Sequence, residues 1–315
     1  MINTLKLGKE DIKARMGWVK DEPDSRNYTT YHPQVKDLFD KLYAVKLPDS
    51  VDLRPQCSPV KDQGNLGSCT ANAVASAIEF LELKQFKSYI AASRLFIYYN
   101  TRHDIEGTSG DVGATITDTI KSTKQFGACP EDSWPYDESK LDTKPIQACY
   151  DAALNYQTLT YVTLSTLNDI QVTLAGGLTI PIGILVFESF ENVGSNGIVP
   201  MPKAGEKLLG GHAVDVVGYT LINGVLYLIV KNSWGTSFGV KGYFYLPATY
   251  LTKTYQGRNY ADDFKVILTE EYIQNTPIPP IDTCPETLSN AKAIIYSTTI
   301  TASSKISKLK GLIPK

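Results

Sequence analysis

The chain has 315 residues, a formal net charge of −2 and 43% hydrophobic residues, the composition of an ordinary globular protein with a full-sized core. This charge provides no basic surface for nucleic acid or an anionic membrane, and no apolar run approaches the roughly 20 residues that span a bilayer. The five cysteines are too few for a disulfide scaffold and wrongly spaced for zinc. We therefore expect no nucleic-acid partner, no membrane association, no metal and no cofactor.

Residues 1–47 are polar and charged, with Pro, Asp or Asn every few residues, which predicts an extended or turn-rich arm rather than a long helix. Met1–Glu10 has no apolar stretch, so we expect no secretory signal. The arm has too little apolar content to fold alone. If it is ordered, it must therefore lie on the rest of the chain, with Trp18 or Tyr28 as candidate anchors.

Two differently patterned regions follow the arm. Residues 48–160 contain predicted helices and residues 161–268 contain predicted strands, which indicates an α+β protein with two lobes. The helices are Thr70–Phe86, Ala91–Asn100 and Ala114–Phe126, the last closed by Gly127; the strands are Ile180–Phe187, Ala213–Leu221, Val225–Lys231 and Gly242–Leu246. Residues 269–315 are predicted to be a C-terminal extension, with a Pro-containing linker and a partly disordered Ser/Thr/Lys-rich tail.

A glycine-rich turn delivers Cys69 to the start of the first of these helices. Unpaired N–H groups and the helix dipole at that position favour a thiolate. Glycines at 64 and 67 let the backbone fold closely enough for Gln63 to reach the sulfur. A Gln amide and a backbone N–H beside a nucleophile are the parts of an oxyanion hole. The alternative for Cys69 is an inert, buried thiol.

Two later segments supply the partners that such a nucleophile needs. His212 stands where a loop enters a strand, and Asn232 stands at the end of the next strand. Each alone would more often be structural. Together with Cys69 they form a nucleophile, a base and an orienting amide, the parts of a catalytic triad.

In the hairpin between His212 and Asn232, the local turn signal conflicts with the geometry that a catalytic triad needs. Asn223-Gly224 predicts a two-residue turn. In that register Asn232 faces position 215, and alternation then puts His212 and Asn232 on opposite faces. A triad needs them on one face, so we expect a three-residue loop or a bulge further down the hairpin.

The stretches Gln63-Gly64…Gly67-Ser68-Cys69, Gly211-His212-Ala213 and Lys231-Asn232-Ser233-Trp234-Gly235 resemble the three motif blocks of the papain and cathepsin family of cysteine peptidases, in the same order. The resemblance covers about residues 48–268. The chain differs from the family at Leu66, where a cysteine is usual, and at Thr70, where Trp or Tyr is usual. In these features and in its short arm it is similar to microbial or viral members.

The resemblance implies a fold and a set of roles. The fold would be a helical lobe (48–160) and an antiparallel β-barrel-like lobe (161–268) with the active-site cleft between them. Cys69, His212, Asn232 and Gln63 would be catalytic in an endopeptidase acting on polypeptides. The substrate site would include Gly113, Gly211 and Trp234, with Trp234 also shielding the bond between His212 and Asn232 from water.

The arm 1–47 would be an inhibitory propeptide acting within its own chain. We expect a monomer located in the cytoplasm or associated with a virion. Two other functions remain open: acyl transfer or amidase chemistry with the same triad, and an inactive homologue that acts as a binding module. The remaining cysteines are expected to be reduced thiols, and Cys57 with Cys129 is the disulfide to test.

Overall fold

The computed structural model describes residues 12–268 except 14 and 159, so residues 1–11 and the predicted tail 269–315 lie outside the described residues. All described residues belong to one compact unit. The helices are α1 Pro33–Ala44, α2 Cys69–Phe86, α3 Arg94–Asn100, α4 Ile116–Phe126, α5 Gln147–Ala153 and α6 Leu167–Ala175. None of the helices in this range has the length and apolar character required to cross a bilayer.

The strands are β1 Trp18–Val19, β2 Tyr28–Thr29, β3 Val51–Asp52, β4 Ala114–Thr115, β5 Thr160–Thr163, β6 Ile180–Phe187, β7 Leu208–Ile222, β8 Val225–Lys231, β9 Tyr243–Pro247, β10 Thr254–Tyr255, β11 Arg258–Asn259, β12 Ala261–Asp262 and β13 Lys265–Leu268. The main sheet has the order β12-β6-β7-β8-β9, with β3 also paired to β7, and its pairs are antiparallel. Over the described residues this sheet stays open rather than closing into a barrel.

Helix α2 lies between the helical region and the sheet, and it packs along β7. Its first 13 residues, from Cys69 to Leu81, are all buried. A helix that is buried on every side must be mostly apolar all round, and Ala71, Val74, Ala75 and Ile78 supply that character. This position brings Cys69, at the N-terminus of α2, against the strand that carries His212.

The hairpin of β7 and β8 has both a tight turn and the predicted bulge. Asn223 and Gly224 have φ of 52° and 77°, as a two-residue turn requires. The register is regular from Ile222↔Val225 to Gly218↔Ile229 and then shifts at Val217. The expected bulge is therefore confirmed, whereas the alternative of a three-residue loop is wrong. The shift moves the C-terminal end of β8 by one residue relative to β7. Side chains there therefore point to the opposite face of the sheet from the one that an unbroken ladder would give.

The arm contains a helix that the sequence analysis did not predict. Helix α1 begins at Pro33 after the N-cap residue His32, and its apolar face is fully buried: Val35, Leu38, Phe39 and Leu42. These positions have the spacing of one helical stripe, a signal that the frequent polar residues obscured. Residues 15–32 are turn-rich as predicted, with only the two short strands β1 and β2.

Among the described residues Cys57, Cys69, Cys129 and Cys149 are all free thiols, as expected, and Cys57 forms no disulfide with Cys129. Cys129 lies against Cys149 within the apolar cluster of the helical region, close enough for their side chains to hydrogen bond. Cys57 lies elsewhere, where its thiol donates to the Leu53 carbonyl at 3.4 Å. Because long-range contacts decide which cysteines meet, spacing along the chain could not identify this pair.

Candidate active site

The Gln63 loop is bound to the segment that follows β8. The Gln63 N–H donates to the Ser233 carbonyl at 2.8 Å, and the Gly235 N–H donates to the Lys61 carbonyl at 3.1 Å. The Ser233 hydroxyl donates to Gln63 Oε1 at 2.6 Å. This last bond orients the Gln63 amide, because the oxygen is occupied and the Nε2 donors must point the other way. One of them reaches the Leu66 carbonyl at 2.7 Å.

His212 and Asn232 meet as the sequence analysis expected. His212 Nε2 lies 2.8 Å from Asn232 Oδ1, and the Ser233 N–H donates to the same oxygen at 2.9 Å. The Ser233 N–H can only donate, so the atom it reaches is the amide oxygen, and because an amide oxygen can only accept, Nε2 carries a proton. In the neutral imidazole, Nδ1 then has the free lone pair, and this buried atom has no hydrogen-bond partner.

Trp234 covers this pair. Its ring lies 4.6 Å from the His212 ring, tilted by 31°, and only 1% of the residue is exposed. Phe190 and Phe238 pack edge-on against the indole. The imidazole and the amide are thus separated from water on this side, which strengthens the hydrogen bond between them.

Cys69 is fully buried at the N-terminus of α2. Burial raises the pKa of the thiol to about 11, although backbone N–H groups of Ala213, Gly17 and Thr70 point at the sulfur and act in the opposite direction. Burial also lowers the pKa of His212 to about 4, which the bond to Asn232 partly offsets. Both groups are therefore neutral near pH 7 in this state.

Residues of the arm cause much of this burial. Gln63 Nε2 donates its second hydrogen bond to the Arg15 carbonyl at 3.1 Å. Gly17 lies so close to Gly67 that a Cβ on Gly17 would stand 1.7 Å from the Gly67 oxygen. The arm is fixed on one side by an ion pair from Arg15 to Asp62 at 2.7 Å. The backbone of residues 15–17 thus occupies the space between Gln63, Cys69 and His212.

The two glycines predicted for the substrate site also contact the arm. Gly113 has φ of 77°, and a Cβ there would lie 2.3 Å from the Gly17 oxygen. The next residue, Ala114, donates its N–H to that oxygen at 2.9 Å, and β4 pairs in parallel with β1. A Cβ on Gly211 would lie 2.6 Å from the Trp18 oxygen. Both glycines therefore let a peptide backbone approach closely.

Two residues of this region were missed in the sequence. Gly183, in the middle of β6, and Asp263, just after β12, both contact Trp18. A glycine inside a strand is a signal for the close approach of another group, so Gly183 could have been noticed. Asp263 carried no signal, because its position depends on the pairing of distant strands.

Among residues 12–268, leaving out 14 and 159, no group of three or more His, Cys, Asp or Glu side chains is placed to hold a metal ion. The reactive groups at this site are a thiol, an imidazole and amides. They suit nucleophilic attack on a carbonyl, with proton transfer by the imidazole.

These features define a cysteine peptidase, and comparison with known proteins gives the family. The model of the papain family cysteine proteases matches residues 47–255. The chain therefore belongs to the papain family.

Similar proteins come from distant organisms. An uncharacterized peptidase C1-like protein of Acanthamoeba polyphaga mimivirus is 37% identical over 302 residues, covering 88% of this chain and 94% of the viral protein. The thiol protease aleurain of Arabidopsis thaliana is 31% identical over 218 residues, covering 65% of this chain and 57% of the plant protein.

Solved structures agree on the fold. Xylellain, a cysteine protease from Xylella fastidiosa, superimposes with a TM-score of 0.70 at 37% identity, over 82% of this chain and 97% of xylellain. The digestive procathepsin L 3 of the Tenebrio molitor larval midgut gives 0.63 at 21% identity, over 84% of this chain and 80% of the procathepsin. The α+β, papain-like fold predicted from the sequence is confirmed.

Proposed function

We propose that the protein hydrolyses peptide bonds inside polypeptides, with Cys69 as nucleophile, His212 as acid and base, and Asn232 as the group that orients His212. The observation that carries this proposal is the bond from His212 Nε2 to Asn232 Oδ1, whose amide orientation the Ser233 N–H supports. It leaves Nδ1 as the atom able to take the Cys69 proton.

The reaction would follow in two halves. The Cys69 thiolate attacks the carbonyl carbon, and the oxyanion accepts hydrogen bonds from Gln63 Nε2 and the Cys69 backbone N–H. His212, now an imidazolium, protonates the leaving amine as the C–N bond breaks. Water then attacks the thioester with His212 as base, releasing the acid and the free thiol.

We further propose that the chain is made as a zymogen, with the arm as its inhibitor. The arm carbonyl of Arg15 accepts from the Gln63 donor that would otherwise hold the oxyanion. Gly17 and Trp18 lie against Gly113 and Gly211. An incoming substrate needs the same positions, so the arm and a substrate exclude each other.

Inhibition would also be electrostatic. In the arm-bound state the thiol has a pKa of about 11 and the imidazole one of about 4. Burial thus moves the two pKa values apart, so proton transfer from Cys69 to His212 is unfavourable in this state. Water returning after the arm departs would stabilise both charges and allow the ion pair to form.

An epoxide inhibitor of cysteine peptidases tests the catalytic assignment. We expect a chain shortened to begin at Leu47, which lacks the arm that covers Cys69, to be labelled at Cys69, and Cys69→Ala in that chain to lose both labelling and cleavage of a peptide substrate. Cys57→Ala, the matched control at a cysteine away from the site, should behave as the parent chain. Cleavage by pure Cys69→Ala protein would refute the nucleophile. Release of products only when an amine acceptor is added would favour acyl transfer instead.

The inhibitory role of the arm is tested by comparing the full chain with a chain that begins at Leu47. We expect the shortened chain to cleave a small peptide faster. Trp18→Ala in the full chain should raise activity in the same direction, because Trp18 is the buried anchor at 5% exposure. Tyr31→Ala, at an arm residue 76% exposed, is the control and should change nothing. Equal activity of the two chain lengths would reject autoinhibition.

A further inference from the structure

The hydroxyl of Tyr136 lies against the turn that carries Gln63 and leads to Cys69. Tyr136 belongs to the connection between α4 and α5. Its hydroxyl donates to the Gln63 carbonyl at 2.7 Å and lies 2.6 Å from Ser68 Oγ. One side chain therefore joins the two ends of this turn, at the residue that supplies the side-chain amide and at the residue just before the nucleophile.

The direction of these hydrogen bonds follows from their neighbours. A carbonyl can only accept, so the Tyr136 proton points to Gln63, and the Tyr136 oxygen must accept the Ser68 proton. Ser68 Oγ accepts in turn from Asn72 Nδ2 at 3.1 Å, and the Ser68 carbonyl accepts from the same nitrogen at 3.0 Å. The hydrogen bonds thus run in one direction, from Asn72 through Ser68 and Tyr136 to Gln63.

Arg94 orients two members of this network. Its guanidinium carbon lies 4.0 Å from the centre of the Tyr136 ring, and Nη1 donates to Asn72 Oδ1 at 3.0 Å. Because the amide oxygen of Asn72 is occupied in this way, its nitrogen must point to Ser68. Arg94 is itself 5% exposed and makes an ion pair with Glu131 at 2.7 Å. The orientation of each side chain in the network is therefore determined by a neighbour.

The turn from Gln63 to Ser68 needs such an anchor. Gly64, with φ of 59°, gives the backbone high conformational freedom. Leu66 stands where the family usually has a cysteine, so no disulfide can hold the turn at this position. Instead, Leu66 packs in the apolar cluster of the helical region, against which Tyr136 also packs. Packing and the Tyr136 hydrogen bonds hold this turn without a covalent link.

We propose that Tyr136 is a positioning residue of the peptidase, which sets the spacing between the two donors that hold the oxyanion. This inference rests on the proposed function. One donor is Gln63 Nε2, and the other is the Cys69 N–H, whose peptide bond begins at the Ser68 carbonyl carbon. Tyr136 contacts both Gln63 and Ser68, so its hydroxyl fixes the two donors relative to each other. Stabilisation of an oxyanion depends on donors that are already in place, so a small displacement of either one slows the reaction.

The Tyr136 hydroxyl keeps its proton at neutral pH. Burial raises its pKa, against the opposing effects of the Ser68 hydrogen bond and the Arg94 charge. Since Tyr136 does not titrate in the neutral range, loss of its hydroxyl should lower the rate without moving the midpoints of the pH profile of kcat/KM.

Tyr136→Phe is the decisive variant, because it removes the hydroxyl and keeps the ring that packs against Arg94. Peptide cleavage is measured in the full chain carrying Trp18→Ala, whose arm is weakened, with and without this change. We expect kcat to fall about tenfold while KM changes by less than about twofold, a smaller loss than that of an oxyanion donor itself. Tyr150→Phe is the matched control and should leave kcat unchanged, since its ring packs against the same cluster and its hydroxyl donates to Asn100 at 2.8 Å. An unchanged kcat in Tyr136→Phe would overturn the inference.

Two reactions of Cys69 separate positioning of the donors from displacement of the nucleophile. The thiol adds to a peptide aldehyde by forming an S–C bond while its proton passes to the carbonyl oxygen, which then occupies the oxyanion site. Iodoacetamide alkylates the sulfur with loss of iodide, and no oxyanion develops. We expect Tyr136→Phe to weaken aldehyde binding about tenfold and to change the alkylation rate by less than about twofold. Equal losses in both reactions would overturn the inference, because Cys69 itself would then have moved.

Ser68→Ala tests the same network at a second residue. It should lower kcat as Tyr136→Phe does, and the two losses should be less than multiplicative in the double variant because they break one network. Fully multiplicative losses would overturn the inference. Cleavage of no peptide by the parent chain would refute the proposed function and this inference with it, whereas an active parent chain that is insensitive to Tyr136→Phe would refute the inference alone.

Discussion

The arm should change the ionisation of Cys69 as well as its accessibility. In the full chain the thiol has a pKa of about 11. At pH 7 roughly one molecule in 10⁴ then carries a thiolate, against about 3 in 100 for an ordinary exposed cysteine. Removal of residues 1–46 should therefore raise the rate of alkylation at neutral pH by at least about 300-fold, and by more if the thiolate–imidazolium pair forms.

The pH dependence separates this effect from simple blockage. We expect alkylation of Cys69 by iodoacetamide in the full chain to rise about tenfold per pH unit up to roughly pH 10, because the thiolate fraction does so. The chain beginning at Leu47 should reach its plateau at a much lower pH. Labelling is followed by mass spectrometry of the Cys69 peptide, with Cys69→Ala as the blank. A full chain that reaches a plateau near neutral pH would refute the reasoning, since blockage alone lowers the rate without moving the midpoint.

Three further predictions concern catalysis and stability. Gln63→Ala should lower kcat by about 10²–10³ with a small change in KM, as loss of one oxyanion donor does; a change confined to KM would contradict the role. Burial raises the pKa of Asp215 to about 7 from 3.8, so the folded state holds this proton more tightly. The contribution of Asp215 to the free energy of unfolding should accordingly fall as pH rises from about 4 to about 7, and Asp215→Asn should remove that slope in urea titrations. Phe39→Ala should cost about 3–5 kcal/mol of unfolding free energy, because α1 buries this ring completely. Tyr31→Ala is the exposed control, and equal losses in the two variants would show that the arm helix adds no stability.

Several helices and strands of this protein could be predicted from local sequence alone. The helix at Cys69–Phe86 and the strands Ile180–Phe187 and Val225–Lys231 lie within one residue of their predicted bounds, because apolar periodicity and glycine punctuation act over short distances. The conflict between the turn at Asn223-Gly224 and the face of the sheet that Asn232 must share with His212 also predicted a three-residue loop or a bulge, and the hairpin has the bulge. The catalytic requirement at Asn232 thus constrained the geometry of the hairpin whose turn begins at Asn223, nine residues earlier.

Tertiary structure decided what long-range contacts control. Three contacts join distant segments: the free thiols of Cys129 and Cys149 lie 20 residues apart in the chain, Arg15 and Gln63 lie 48 apart, and Trp18 and Asp263 lie 245 apart. Neither Trp18 nor Asp263 has a local pattern that names its partner. The burial of a side chain and the charges around it depend on which surfaces meet in the folded chain. The sequence therefore identified the reactive residues, but only the tertiary structure showed how the arm occupies their site.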